Sequence, residues 1–239
     1  MPRPKQRTTA LRERGLATAL AVLAEDGVTG LTTRAVARRA GASVPAVYEV
    51  FGDKAGLIRE IFIEGFRMLG ADLSALPANQ DPLDALRQLA QRFRRFVVRN
   101  PVLAQVMFSR PFADFDPTAD EAKAAVTVRR IFVRHVRTAV DAGVLTGDPT
   151  DVALVFFTVV EGLAAAENAQ QLGSSKQSVD RRWRLALTAL LRGFSTESGA
   201  NAGHRSGSRS EVGERNDRRG ASFPVRGSRR ATPARRSAT

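Results

Sequence analysis

Apolar side chains recur every three or four residues through most of the first 196 positions of the chain. This interval is the period of an amphipathic α-helix, and Gly, Pro and Asp-Pro or Asn-Pro pairs interrupt it where turns are expected. The pattern therefore predicts an all-α protein of about nine helices. The predicted helices span residues 8–26, 32–40, 43–51, 53–73, 81–100, 102–109, 118–142, 148–172 and 178–194.

Residues 32–54 contain two of the short predicted helices, joined by a tight turn. Thr32 and Ser43 are suited to cap the two N-termini, and Pro45 falls in a first turn, where its missing N–H is not needed. Gly41 lies where the chain must reverse direction. The spacing favours a DNA-binding helix-turn-helix, although an ordinary corner between two helices uses the same residue types.

The wider residue pattern of this segment resembles the DNA-binding domain of the TetR family of bacterial transcriptional regulators. The resemblance is carried by Leu31, Thr32, Thr33, Arg34, Val36, Ala37, Ala40, Gly41, Ser43, Val47, Tyr48, Phe51 and Lys54. Farther along the chain, only the lengths and order of the helices are similar to the family. The resemblance implies a three-helix DNA-binding domain at residues 1–52, including a basic arm at residues 1–7, and a helical effector-binding and dimerisation domain at residues 53–196.

The resemblance also implies which side chains contact DNA. The matching positions are Thr33, Arg34, Ser43, Pro45, Tyr48 and Lys54. Arg34 is the expected bidentate contact to a guanine. Tyr48 is the only tyrosine of the chain, and its hydroxyl is expected to reach a phosphate.

The groove-facing side of the second short helix adds Val44 and Ala46 to Pro45. These three side chains have no hydrogen-bonding group, so they can read only thymine methyls and the shape of the groove. Glu49 and Val50 depart from the residues that the family favours. The operator sequence therefore does not follow from the resemblance.

A group of aromatic and polarizable side chains predicts a ligand pocket in the second domain. Its members are Phe93, Met107, Phe108, Phe112, Phe132 and His135. Such side chains beside a loop suit a small apolar effector. Ordinary packing of the core accounts for the same residues, and His135 can equally be a core histidine. The helix at residues 53–73 enters both domains and is expected to act as the lever between them.

The helices at residues 148–172 and 178–194 are predicted to form a dimer interface. The first is apolar almost all round, and a helix buried on every side needs more partners than one small domain supplies. Two helices from each subunit can form a four-helix bundle across a two-fold axis. The predicted interface residues are Phe156, Val159, Gly162, Ala166, Trp183, Leu187, Leu190 and Leu191. In the alternative, a monomer, these helices merely close the core.

Positive charge is unevenly distributed along the chain. The 37 Lys and Arg residues outnumber the 24 Asp and Glu residues, which gives a formal net charge of +13. Residues 197–239 have no apolar periodicity and hold about half of the excess charge, so they are predicted to form a disordered basic tail. The helix at residues 81–100 also carries an arginine face, which is expected to be solvated. It comprises Arg87, Arg92, Arg94, Arg95 and Arg99.

Other features bear on location. The chain has no cysteine, which excludes disulfides and thiolate metal sites. The basic start lacks the apolar segment of a secretory signal. The most apolar run, residues 152–166, is shorter than a bilayer span and contains Glu161, so a buried helix and no membrane contact are expected. A cytoplasmic, nucleoid-associated protein fits these features.

The sequence has none of the common catalytic or nucleotide-binding motifs, so no enzyme, cofactor or metal is predicted. The predicted function is a homodimeric regulator, a repressor that a small and apolar ligand releases from a palindromic DNA operator. Two alternatives stay open. One is a non-specific basic protein that coats nucleic acid, and the other is a helical small-molecule-binding protein with a vestigial DNA motif.

Overall fold

A computed structural model of the chain describes residues 4–77, 81–109 and 118–196, and for residues 4–7 and 119–122 it describes the backbone alone. The described residues form nine α-helices and one π-helical turn, which confirms the all-α prediction. The helices are α1 (Pro4–Gly30), α2 (Thr33–Ala40), α3 (Val44–Phe51), α4 (Lys54–Ser74), α5 (Pro82–Arg99), α6 (Pro101–Ala104), α7 (Ala119–Asp141), α8 (Pro149–Asn168) and α9 (Lys176–Gly193). The π-helical turn, Gln105–Ser109, directly continues α6.

Helix α1 begins four residues before its predicted start, because the backbone is already helical at Pro4. Proline is favoured in a first helical turn, since its fixed φ suits the helix and its missing N–H is not needed there. The predicted arm at residues 1–7 is therefore helical from Pro4, and its first three residues lie outside the described part. Gly27 interrupts the helix as expected, with a φ of 70°.

Helices α8 and α9 are shifted slightly from their predicted bounds. Helix α8 ends at Asn168 rather than near Leu172. Helix α9 begins at Lys176 because Ser175 is its N-cap, and the Ser175 side chain accepts a hydrogen bond from the backbone N–H of Ser178. The end of α9 is tied back to the loop after α7, where the N–H of Thr146 donates to the carbonyl oxygen of Phe194 at 2.8 Å.

Helix α4 lies between the first three helices and the later ones. It contacts α1 and α3 of the first group and α5, α6 and α7 of the second. Leu57, Ile61, Phe62, Phe66 and Leu69, the stripe that defined this helix in the sequence, are all buried. A displacement of α4 would therefore be felt by both groups of helices.

Helix α8 departs from its predicted surroundings. Val152, Phe156 and Val160 are buried, but Leu154 is 52% exposed and Val155 is 43% exposed. The helix is therefore not buried on every side within the subunit. Its 20 residues are also long and apolar enough to cross a membrane, unlike the shorter run seen in the sequence. Within the described chain it packs against α5, α7 and α9.

Candidate DNA-binding face and effector cavity

The turn between α2 and α3 is fixed by the caps that the sequence predicts. The Thr32 hydroxyl accepts from the N–H of Ala35 at 3.1 Å, and the Ser43 hydroxyl accepts from the N–H of Ala46 at 3.3 Å. Gly41 has a φ of 64° and a ψ of 35°, the left-handed conformation that glycine adopts without steric cost. These interactions set the angle between the two helices.

A small core holds α3 against the other helices of this region. Val47 is fully buried, and Phe51 is 6% exposed. They belong to the same core as Val36 of α2 and Leu23 of α1, and Val50 packs on that core from its edge. Because these apolar side chains point inward, the opposite side of α3 is presented to solvent.

The solvent-facing side of this region is the candidate DNA-binding face. Ser43, Pro45 and Arg34 are exposed, and Val44 and Ala46 are half-buried. Tyr48 is 50% exposed, so its hydroxyl has access to a partner. Arg34 belongs to the first turn of α2, Ser43 caps α3, and the other residues lie on α3.

Thr33 differs from the other predicted DNA contacts, because it is only 9% exposed. It is the first residue of α2 and follows the Thr32 cap directly. Little of its side chain is available to a ligand. A contact from Thr33 to DNA would therefore have to come from its backbone or from the small exposed part of its side chain.

Lys54 extends the face at the start of α4. Asp53 caps this helix and accepts a hydrogen bond from the N–H of Gly56 at 2.8 Å. Lys54 is exposed at the N-terminus of the helix, where the free backbone N–H groups and the helix dipole favour an anion.

An ion pair that no sequence pattern indicates holds α2 against α1. The guanidinium of Arg39 donates a hydrogen bond to Glu25 near the end of α1 and lies 3.6 Å from Asp26. The hydrogen bond to Glu25 raises the pKa of Arg39. Since the partners are 14 residues apart, no helical spacing links them in the sequence. Arg39 is thereby held to α1 and is not counted among the DNA contacts.

A cavity of about 230 Å³ lies between α5, the segment formed by α6 and the π-helical turn, and α8. It is lined by Phe93, Val97, Pro101, Ala104, Gln105, Phe108, Ser109, Glu161, Ala165, Asn168 and Ala169. One wall is apolar and partly aromatic, whereas Gln105, Ser109, Glu161 and Asn168 contribute polar groups. The site can therefore enclose a small molecule and orient it.

Five of the six predicted pocket residues fall into three groups. Phe93 and Phe108 line the cavity, and their ring centroids are 5.6 Å apart. Met107 and Phe132 are buried in the core rather than in the lining. Phe132 supports the wall, because its ring lies 6.1 Å from that of Phe93. Phe112 lies outside the described residues.

His135 is half-buried on α7 and does not line the cavity. Its Nε2 atom has no hydrogen-bond partner among the described residues. Burial lowers the pKa of His135, and the charge of Arg134 lowers it further. The neutral imidazole is therefore the favoured form at neutral pH.

The arginine face of α5 is not uniformly solvated, and Arg94 is the clearest exception. Its side chain is 13% exposed and pairs with Glu167 of α8 and with Asp180 of α9. The indole N–H of Trp183 also donates to Glu167, at 2.7 Å. The expectation of solvation is wrong here because two carboxylates from other helices face this arginine.

Two family models match the chain over the regions just described. Residues 16–61 match the model "Bacterial regulatory proteins, tetR family", and residues 86–190 match "Tetracyclin repressor-like, C-terminal domain". The chain belongs to the TetR family. It is thus a DNA-binding transcriptional regulator, as the pattern of residues 32–54 indicates.

Known proteins agree with this assignment. The TetR-family chain is 29% identical to the tetracycline repressor protein class C of Escherichia coli over 183 residues, which cover 76% of this chain and 77% of that protein. A Rhodococcus protein of unknown function superposes with a TM-score of 0.69 at 29% identity, over 78% of this chain and 96% of that one. A tetracycline repressor variant from Acinetobacter baumannii, in complex with minocycline, has the same fold, with a TM-score of 0.53 at 22% identity over 75% and 93% of the two chains.

Four of the residues that the sequence assigns to an interface belong to the subunit's own core. Phe156, Trp183, Leu187 and Leu191 are at most 4% exposed, so they offer almost no surface to a second subunit. Val159, Ala166 and Leu190 are half-buried, and Gly162 is exposed. The helical stripe in the sequence marks burial, but it does not separate burial inside a subunit from burial between subunits.

Other large apolar side chains, outside the predicted interface, are exposed on the same two helices. They are Leu154 and Val155 on α8 and Leu185 on α9, which is 68% exposed. We use the name α8–α9 face for these three exposed residues and Gly162. In the sequence, this face would have been indicated by the large apolar residues that lie outside the apolar stripe of each helix.

Proposed function

We propose that this regulator is a homodimeric repressor that a small effector releases from a palindromic operator. The observation that carries the proposal is the α2–α3 unit. Its inner side is locked by Val47 and Phe51, whereas Pro45 and Tyr48 are presented to solvent on a helix of eight residues. A short, rigidly mounted and exposed helix is what the major groove of DNA accommodates.

The side chains of the DNA-binding face divide into two kinds of contact with DNA. Arg34 reads a guanine edge, and Val44, Pro45 and Ala46 test thymine methyls and the shape of the groove. Ser43, Tyr48 and Lys54 bind phosphates, which position the helix without reading sequence. This division follows from hydrogen-bonding capacity, because Arg34 is the only one of these side chains with two parallel donors.

Dimerisation is proposed to occur through the α8–α9 face. Exposed Leu154, Val155 and Leu185 give two helices of one subunit an apolar surface, and Gly162 has open space where a Cβ would be. A two-fold axis through this surface produces a four-helix bundle. The two α3 helices would then meet half-sites about 34–36 Å apart, which is one turn of DNA.

The proposed effector site is the cavity of about 230 Å³. Pro101 of α6 lines it and also lines a second cavity of about 150 Å³, which is bounded by Leu20 and Leu23 of α1 and by Met68 of α4. Helix α6 therefore has space on both sides and contacts α1 and α4 directly. A ligand that moves α6 would shift the three-helix unit.

Release of DNA requires that the effector bind one conformation better than another. An effector that favours the conformation with the wrong half-site separation draws the population away from DNA. The π-helical turn is a suitable responsive element, because such turns occur mostly at functional sites and Phe108 and Ser109 in it line the cavity.

Residues 1–52 form the DNA-binding domain in this proposal, residues 53–196 the effector and dimerisation domain, and residues 197–239 a basic tail. The protein acts in the cytoplasm.

The decisive experiment is selection of bound fragments from the source genome with the purified full-length protein. A regulator should recover a palindromic fragment and prefer it over random DNA by about a thousandfold or more. Equal binding to all fragments would instead identify a non-specific coating protein. Ligand binding without any bound promoter fragment would identify a small-molecule-binding protein with a vestigial DNA motif.

A further inference from the structure

Glu161 is an ionisable side chain in the wall of the cavity, and the other described residues that line it are uncharged. It lies on α8, one turn before Ala165 and about two turns before Asn168, so all three face the same cavity. Phe157, one turn earlier on the same side of α8, packs against Phe93 with 5.7 Å between ring centroids. The carboxylate thus stands at the edge of an aromatic surface.

A comparison with Glu167 on the same helix shows what is unusual about Glu161. Glu167 accepts two hydrogen bonds from Arg94 and one from Trp183. Glu161 makes no hydrogen bond or ion pair within the described part of the chain, although it is half-buried. Arg94, on the α5 turn that also supplies Phe93, is already occupied by Glu167 and Asp180.

Removing a carboxylate from water without a partner costs free energy. Burial accordingly raises the pKa of Glu161. A positively charged ligand group in the cavity would supply the missing partner and reverse this effect. Neighbouring oxygens of Asn168, Gln105 and Ser109 can accept further hydrogen bonds from an ammonium group, which has up to three donors.

We infer that Glu161 recognises a cation, and that the ligand of this cavity is a small molecule with one aromatic ring or an apolar body of similar size and a protonated amine. That this ligand acts as the effector rests on the proposed function. The size follows from the volume of about 230 Å³, which is below the roughly 300–1,000 Å³ of sites for drug-sized ligands. The ring packs on Phe93 and Phe108, and the ammonium group faces Glu161.

The test compares three probes that differ mainly in charge: 2-phenylethylammonium, 2-phenylethanol and 3-phenylpropionate. Dissociation constants are measured by NMR titration of the full-length protein at neutral pH and in the absence of DNA. The cation should bind at least about tenfold more tightly than the alcohol, because hydrogen bonds to charged groups are stronger than neutral ones. The carboxylate probe should bind most weakly.

Variants of Glu161 assign the preference to this side chain. Glu161→Gln should reduce the preference for the cation over the alcohol to about twofold or less, and Glu161→Asp should restore part of it. Glu64→Gln is the matched control, because Glu64 pairs with Arg67 on α4 and does not line the cavity. This control should retain the full preference.

Several results would overturn the inference. They are equal or tighter binding of the neutral or anionic probe, a cation preference that survives in Glu161→Gln, and no binding of the cation at about 10 mM, the weakest constant expected for so small a ligand in a fitting site. The ranking in the unmodified protein does not depend on whether any variant folds. Operator selection is measured separately. If the protein selects an operator but the probes do not bind in the expected order, only the class of ligand is rejected. If the probes bind in the expected order but no operator is selected, only the DNA function is rejected.

Discussion

Arg94 and Glu167 form two near-parallel hydrogen bonds, at 2.6 Å from Nε and 2.9 Å from Nη2, that join α5 to α8. Asp180 of α9 lies 2.8 Å from the third nitrogen of the same guanidinium. The guanidinium also stands over the Trp183 ring, 5.1 Å from its centroid. One arginine therefore connects three helices next to the proposed cavity, whose wall includes Asn168 beside Glu167.

Replacing Arg94 with Met should destabilise the fold by about 2–3 kcal/mol, because Glu167 would remain half-buried without its positively charged partner. Urea unfolding at a fixed protein concentration measures the change. The control is Arg87→Met. Its ion pair with Asp84 is about half-exposed on both sides and should contribute less than about 0.5 kcal/mol. Equal losses in the two variants would show that the three-helix connection adds no stability.

The helix-turn-helix was predictable from the sequence because its determinants are local. Thr32, Gly41 and Ser43 act on the backbone within a few residues of themselves, so their types and spacing suffice. Side-chain partners between helices follow no such spacing. Arg94 meets Glu167 across 73 positions, and the sequence therefore suggested a solvated arginine.

For a related reason, the apolar pattern alone does not separate pocket-lining or interface residues from ordinary core residues. Apolar character indicates burial, but not what covers the side chain. Phe132 and Trp183 are large and apolar, yet both are buried within the subunit. Glu161 was visible in the sequence as a charged residue in an apolar run. Its place in a cavity wall depends on α5 and the π-helical turn, which are distant in the chain.

The α8–α9 face makes dimerisation testable with one exposed residue. Leu154→Asp should give a folded monomer, because a carboxylate at an apolar subunit interface has no partner there. Light scattering or sedimentation measures the mass, and circular dichroism verifies the helices. Val98→Asp on α5 is the control, since Val98 is also exposed, at 40%, but is outside the face. If Leu154→Asp stays dimeric, the two subunits meet elsewhere.

Arg34→Ala should weaken operator binding by about 1–3 kcal/mol and reduce the sequence selectivity at one base pair of the operator. The reason is the loss of a bidentate contact to guanine. Binding to the selected operator and to its single-base variants is measured by gel shift or fluorescence anisotropy. A uniform loss on every sequence would mean that Arg34 contacts a phosphate instead.

Tyr48→Phe isolates the hydroxyl of the tyrosine that stands exposed on α3. The variant should weaken binding by about 0.5–1.5 kcal/mol, and by similar amounts on operator and on random DNA, because a phosphate contact carries no sequence information. The same binding assays measure it. An unchanged affinity would show that the hydroxyl touches no phosphate and that the ring alone matters.

Truncation after Ala200 should leave the dimer folded and make the decrease of DNA affinity with salt less steep. Residues from Asn201 onward include ten arginines and three acidic side chains, and each phosphate that an arginine neutralises adds to the salt dependence. Affinity for one operator is measured over a series of salt concentrations. Identical slopes with and without these residues would show that they do not contact DNA.

The unpaired carboxylate of Glu161 should also affect stability without any ligand. Its pKa is raised in the folded protein, so the unfolded chain releases this proton at lower pH, and folding stability falls as pH rises from about 4.5 through the folded pKa. The Glu161→Gln variant has no ionisable group at this position, so its folding stability should not fall with pH for this reason. It should match the unmodified protein near pH 4 and exceed its stability near pH 7, by less than about 1 kcal/mol because the group is half-exposed. Urea unfolding across this range measures the difference, in which groups common to both proteins cancel.

Glu64→Gln should show no such gain at pH 7, because it loses the ion pair with Arg67. A gain of equal size at pH 4 would point to packing rather than charge, and a loss at pH 7 would mean that the ionised carboxylate is stabilised in the folded protein.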